Sequence, residues 1–188
     1  TNYDPVGRTT KVFRPGDALT APSYQFTYTV NHTALSKVTS AVRATSSKVV
    51  TSYALVDSFG RTRETQTLPA SGTGRLVSQT AYDDRGLVTM ASAPYVATGT
   101  PGSGLTNVAA PPNNTLTWYD ELQRPVASIL RNASTVVSVG TTAYTGLVAQ
   151  ATSPEGRKRA QTWDVRGHVV SVEQQYRNTA SHYATTSF

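Results

Sequence analysis

Thr152-Ser153-Pro154-Glu155-Gly156-Arg157, then Lys158-Arg159-Ala160-Gln161-Thr162, then Trp163-Asp164-Val165-Arg166-Gly167-His168: this stretch decides the fold. Each flanking block reads as a tight turn. Asp or Ser is favoured at the first position of a type I turn and Gly at the fourth. The side-chain oxygen accepts hydrogen bonds from backbone N–H groups just ahead of it. The Gly takes the left-handed conformation that closes a type I turn plus G1 bulge, a common hairpin connection. Ser153 can make the Asp contact more weakly, and Pro154 brings the φ that the second turn position needs. The segment between the two blocks then runs straight, giving a turn-strand-turn unit.

Working outward, the same block recurs four more times in altered form. Tyr3-Asp4-Pro5-Val6-Gly7-Arg8 has every feature, and Val56-Asp57-Ser58-Phe59-Gly60-Arg61 keeps the Asp, Gly and Arg. Tyr82-Asp83-Asp84-Arg85-Gly86-Leu87 keeps the Tyr, Asp and Gly, whereas Tyr119-Asp120-Glu121-Leu122-Gln123-Arg124 has Gln123 where Gly is expected. Five of the seven Asp residues fall at the second position of this block, which chance scatter would not produce. The turn reading assigns structural roles to Asp4, Gly7, Asp57, Gly60, Asp83, Gly86, Asp120, Gly156, Asp164 and Gly167. Gln123 predicts a strained or differently shaped turn. The Arg after the Gly is expected to pair with the Asp or cover the preceding ring.

The segments around the turns read as strands. In Gln25-Phe26-Thr27-Tyr28-Thr29-Val30, Phe26, Tyr28 and Val30 share a face by period two. Residues 48–55, 115–119, 126–130 and 168–173 are similar. Strand, Asp-x-x-Gly turn, strand, repeated, predicts an all-β chain folded as an antiparallel hairpin meander. Residues 33–43 fit a short helix or an irregular strand. Loops are expected at 14–22, 68–74 and 91–114, the last being long enough to be an insertion with a purpose. Residues 1–188 are read as a single β domain.

Composition agrees. Only 15% of the 188 residues are charged, against about 25% in ordinary domains, and Thr, Val and Tyr, which suit a pleated surface, are plentiful. There is no Cys, so disulfides, thiolate zinc sites and cysteine nucleophiles are excluded. No apolar run approaches the ~20 residues of a membrane helix. The net charge of +6 comes with one tight basic cluster, Arg157-Lys158-Arg159, and with no nucleic-acid-binding motif, so nucleic acid is not the expected partner.

The repeated Tyr-Asp-x-x-Gly-Arg blocks, and above all the tandem pair within residues 146–172, resemble the YD repeats of bacterial Rhs proteins, Tc-type toxin components and animal teneurins. The resemblance implies long hairpins winding into a curved sheet or a segment of a β-shell. It implies a non-catalytic encapsulating role in a secreted or cell-surface, toxin-delivering protein. The implied partners are the remainder of a larger Rhs-like chain and an enclosed toxin domain. The chain opens Thr1-Asn2-Tyr3-Asp4, at the edge of a motif, and is read as a piece of such a longer chain. The family's self-cleaving region is not recognisable in it.

The three His residues, His32, His168 and His182, show no metal-ligand spacing, and there is no Gly-x-Ser-x-Gly elbow or phosphate-cradling Gly-rich loop. No cofactor or metal is expected. The regular placement of the motif Asp residues favours turn-building over paired catalytic carboxylates. The alternative function is adhesion or carbohydrate binding, in which Trp118, Tyr119 and Trp163 would stack on sugar rings; packing between strands is the plainer role for these rings. An enzyme on a β scaffold is the third reading and would need a cleft where a His meets a carboxylate.

Overall fold

The computed structural model describes residues 1–175 and 183–188. Among these the secondary structure is strand, with no helix. The chain divides into two compact units, Thr1–Ala81 with Ser92–Pro111, and Tyr82–Ala91 with Pro112–Phe188.

In the first unit, β1 (Asn2–Tyr3), β2 (Thr9–Val12), β3 (Tyr24–Thr29), β4 (Ser36–Arg43), β5 (Val49–Val56), β6 (Thr62–Thr67) and β7 (Arg75–Tyr82) pair antiparallel, each with the next. After β8 (Val88–Ser92), which belongs mainly to the second unit, β9 (Tyr95–Ala97) returns to pair with the first half of β7. The second unit continues the meander with β10 (Asn114–Tyr119), β11 (Pro125–Asn132), β12 (Thr135–Thr145), β13 (Val148–Thr152), β14 (Lys158–Trp163), β15 (Val169–Gln175) and β16 (Tyr183–Ser187). The all-β antiparallel meander expected from the turn spacing is what forms. Of residues 33–43, Ser36–Arg43 form strand β4 and the first three are irregular. On β3 the burial alternates as period two requires, Tyr24, Phe26 and Tyr28 half-buried and their neighbours exposed.

Both units have thin cores. Leu55, Val77 and Ile129 are the buried large apolar side chains among the described residues, and Glu64, Gln66, Arg75 and Asn114 are buried with them. In the first unit the core lies on one face of β5, β6 and β7. Leu55 is opposite Glu64 and then Gln79, while Tyr53 is opposite Gln66, Val77 and Tyr95. Directly opposed residues share a face, so these side chains form one block. Residues 98–106, from the long loop expected at 91–114, lie over it. Lys37 Nζ and Gln66 Oε1 hold the Gly102 carbonyl and amide, and Thr106 is held by Glu64. The insertion is therefore a roof, and it supplies the second layer that a lone sheet lacks.

Candidate functional site

The most repeated feature is the turn itself. In all six blocks the N–H of the Asp, or of Ser153, donates to the carbonyl four residues on, and the N–H three residues on donates back to the Asp or Ser carbonyl, at 2.8–3.1 Å. The Asp57 carboxylate Oδ1 accepts from the amides of Phe59 and Arg61 at 3.0 and 2.9 Å. Asp4, Asp83 and Asp164 repeat this with the second and fourth residues ahead, and Asp120 accepts from the Arg124 amide at 2.8 Å. Ser153 substitutes one longer bond, 3.2 Å from the Arg157 amide. The fourth residue of the turn always has positive φ: Gly7 +84°, Gly60 +77°, Gly86 +86°, Gly156 +80°, Gly167 +84°. Gln123 sits at +64°, so its strain is as expected, but the turn keeps the common shape rather than a different one. The hydrogen-bond set outweighs the side chain's aversion to that conformation.

The second carboxylate oxygen is spoken for as well. Asp4, Asp57 and Asp120 bind the following Arg8, Arg61 and Arg124 at 2.7–2.8 Å. In the third turn Leu87 holds that place and Arg85 supplies the cation instead; its other guanidinium nitrogen donates to the Asp120 carbonyl at 2.9 Å, tying one turn to the next. In the sixth, His168 Nδ1 lies 3.2 Å from Asp164. For Asp4, Asp57 and Asp83, partial desolvation works against the charge, yet the backbone amides and the arginine outweigh it and hold the carboxyl below its ordinary value. For Asp120 and Asp164 the amides of Arg124 and His168 are the leading cause of the same lowering. A carboxylate so fixed is a poor proton acceptor near neutral pH.

The arginines do not cover the ring that precedes their own Asp. Arg8 lies over Tyr28 and Arg124 over Tyr144, each on the following strand, and Arg61 over Phe59 inside its own turn. Register explains it. Continuing the Val12–Tyr24 and Ala127–Thr141 pairings along the strands puts Tyr28 opposite Arg8 and Tyr144 opposite Arg124. The same tyrosines latch the turn: Tyr28 donates its hydroxyl to the Thr9 carbonyl and Tyr144 to Pro125, at 3.0 and 3.2 Å. Tyr119 does so to Val88 at 2.9 Å. In each case the acceptor is the fifth residue after the turn Asp. Tyr119 thus serves two blocks, leading its own and fastening the one before. Sequence reading missed this latch, although the signal was a Tyr recurring at the end of the following strand.

The buried polar block under the roof was also missed. Glu64, 1% exposed, accepts from the Gln66 and Gln79 side-chain amides, the Thr106 amide and the Thr106 hydroxyl, at 2.6–3.2 Å. Arg75 donates to the Thr98 and Gly104 carbonyls, and Tyr95 to Gln79. Burial pushes the Tyr95 phenol above its ordinary value. Among the described residues no buried side-chain polar atom lacks a partner, so this block is a closed network rather than an open reactive centre.

The three candidate sugar-stacking rings are not brought together by pleat. Trp118 and Tyr119 are neighbours on β10 and face opposite sides of the sheet; Trp118 is 59% exposed, whereas Tyr119 and Trp163 are half-buried. His32 is exposed, His168 belongs to its turn, and His182 lies outside the described residues. No group of three His, Cys, Asp or Glu side chains among the described residues is placed to hold a metal ion.

One turn stands apart. In the second unit the Asp83, Asp120 and Asp164 turns close alternate hairpins and so lie at one end of the strands, while the Ser153 turn, between β13 and β14, lies at the other. Beside it is a groove of about 580 Å³ lined by residues that include Ala151, Arg157, Arg159, Gln174 and Ala184. Glu155 is held there by the Ser153 hydroxyl at 2.9 Å, which with its own amide and the charge of Arg157 lowers its pKa.

No protein-family model matches this chain, and no curated protein matches it.

Proposed function

We propose that this chain is wall material: a non-catalytic segment of YD-type repeats from an encapsulating or scaffolding protein of the Rhs, Tc-toxin and teneurin kind, acting outside the cell or at its surface. The observation that carries the reading is the same backbone hydrogen-bond pair in all six motif turns, with the five motif carboxylates committed to backbone amides and to a neighbouring Arg or His side chain. Such a carboxylate builds a hairpin, with both of its oxygens already engaged. Thin cores support the same reading. Val49, Val50, Val136, Val137 and Val139 remain 40–59% exposed on strand faces, as surfaces awaiting further layers or a neighbouring chain would be. The partners on this reading are the rest of a larger assembly and an enclosed toxin domain.

The test is the native mass of the polypeptide isolated from its source without denaturant. Co-migration with a larger assembly is expected, and the co-purifying chain then identifies cargo or shell. Migration alone at 20.1 kDa would remove encapsulation as its role.

A second reading, a carbohydrate-binding surface, is favoured by one observation, the exposure of Trp118. It shares its face with Val139 and Val137 on β12, by the pairing of Leu116 with Ile129 and Val139. A glycan array with wild type and Trp118→Ala separates the two readings. Loss of a defined glycan signal in the variant supports this second one.

A further inference from the structure

The Ser153 turn repeats the geometry of its siblings with one partner removed. In three of them the arginine that follows the turn meets an Asp carboxylate at 2.7–2.8 Å. Arg157 holds the same position, but Ser153 has no carboxylate to offer. Among the described residues the Arg157, Lys158 and Arg159 side chains form no ion pair or hydrogen bond; Arg157 acts on Glu155 only through its charge, and Glu155 is drawn to Ser153. Arg157 and Arg159 therefore line the groove with one carboxylate, Glu155, and Lys158 adds its charge from the alternate position on β14. Its floor is set by register. Ala151 is opposite Arg159, which is opposite Gln174, which is opposite Ala184, so one row across four strands places a guanidinium and an amide between two small side chains. The row leaves room for an extended chain, with Gln174 able to bond a backbone. Among the described residues, no aromatic ring lines the groove.

We propose that this groove binds an extended acidic peptide segment, one of whose carboxylates takes the position at Arg157 that the turn aspartate holds in the sibling repeats. Arg is suited to the task because its planar fork pairs with a carboxylate through two donors. Arg159 and Lys158 add attraction for further acidic residues. The inference rests on the turn geometry and is independent of the encapsulation reading.

The experiment is fluorescence anisotropy of a labelled hexaglutamate peptide with the full chain at physiological salt. Ser153→Asp supplies the missing carboxylate from within the turn and should weaken binding about tenfold without lowering the thermal midpoint. Arg157→Gln should weaken it about as much, with no cost to folding, since that side chain has no partner in the fold. Arg166→Gln removes an equal charge at the far end of β14, beyond the screening length, and should leave binding unchanged. The proposal is overturned if wild type does not bind the peptide or if Ser153→Asp and Arg157→Gln bind as wild type does. Equal weakening by Arg166→Gln would reduce the effect to bulk surface charge and overturn it too. So would equal or tighter binding of a thymidylate hexamer, which would make the groove a nucleic-acid site.

Discussion

The hairpin turns and the roof over β5–β7 meet the same requirement, a partner for every polar group, over very different chain distances. At a turn, Asp57 satisfies amides two and four residues away. Under the roof, Glu64 satisfies groups 42 residues on, at Thr106. The turns stay wet, and their ion pairs sit in solvent where each is worth little. The roofed block is dry, so each lost partner there leaves a buried group unsatisfied, which costs far more. Repetition makes the first robust, since five related turns remain if one fails. The second has no duplicate.

That contrast orders the substitutions. Glu64→Ala should have the largest effect, about 3 kcal/mol of unfolding free energy, because it strands donors from Gln66, Gln79 and Thr106. Urea denaturation measures it, and a loss no larger than that of an exposed substitution would mean the roof is not part of the core. Gly102→Ala should cost about 2 kcal/mol. Its new methyl would sit 2.5 Å from the Tyr53 ring, at a φ of +78°. Faster amide exchange across 98–106 should accompany it.

Turn substitutions should be smaller. Tyr119→Phe removes the latch to Val88 and should cost about 1 kcal/mol. Gln123→Gly should act in the other direction, stabilising by about 0.5–1 kcal/mol as the +64° φ becomes unstrained. A loss of stability at Gln123→Gly would show that the Gln side chain contributes something the turn geometry does not reveal.

What could be read beforehand follows the same division. Asp4, Asp57, Asp83, Asp120 and Asp164 announce their role within six residues, because the turn is local and its chemistry is written in adjacent positions. The tyrosine latch spans one strand pairing and needs a register before it can be seen. Glu64, Gln66 and Arg75 gave no signal at all. They lie on strands rich in Thr and Gln, and only the folding back of 98–106 tells a buried Gln66 from an exposed one. On β12 the burial alternates, but it is Val137 and Val139 that are exposed and Ser138 and Gly140 that are half-covered, so apolar residues do not mark the covered face there.

Acid should act on the turns as a set. Every motif Asp has its folded pKa lowered, so its stabilising contribution is fully present above the unfolded value of about 4 and is lost as pH falls below it. The most direct test of the turn assignment is an NMR titration of the side-chain carboxyl carbons of Asp4, Asp57, Asp83, Asp120 and Asp164. All five should titrate below the ordinary aspartate range, as carboxylates tied to backbone amides must. Values at or above that range would contradict the account, since a raised pKa belongs to a carboxyl kept free for proton transfer and not to one that closes a hairpin.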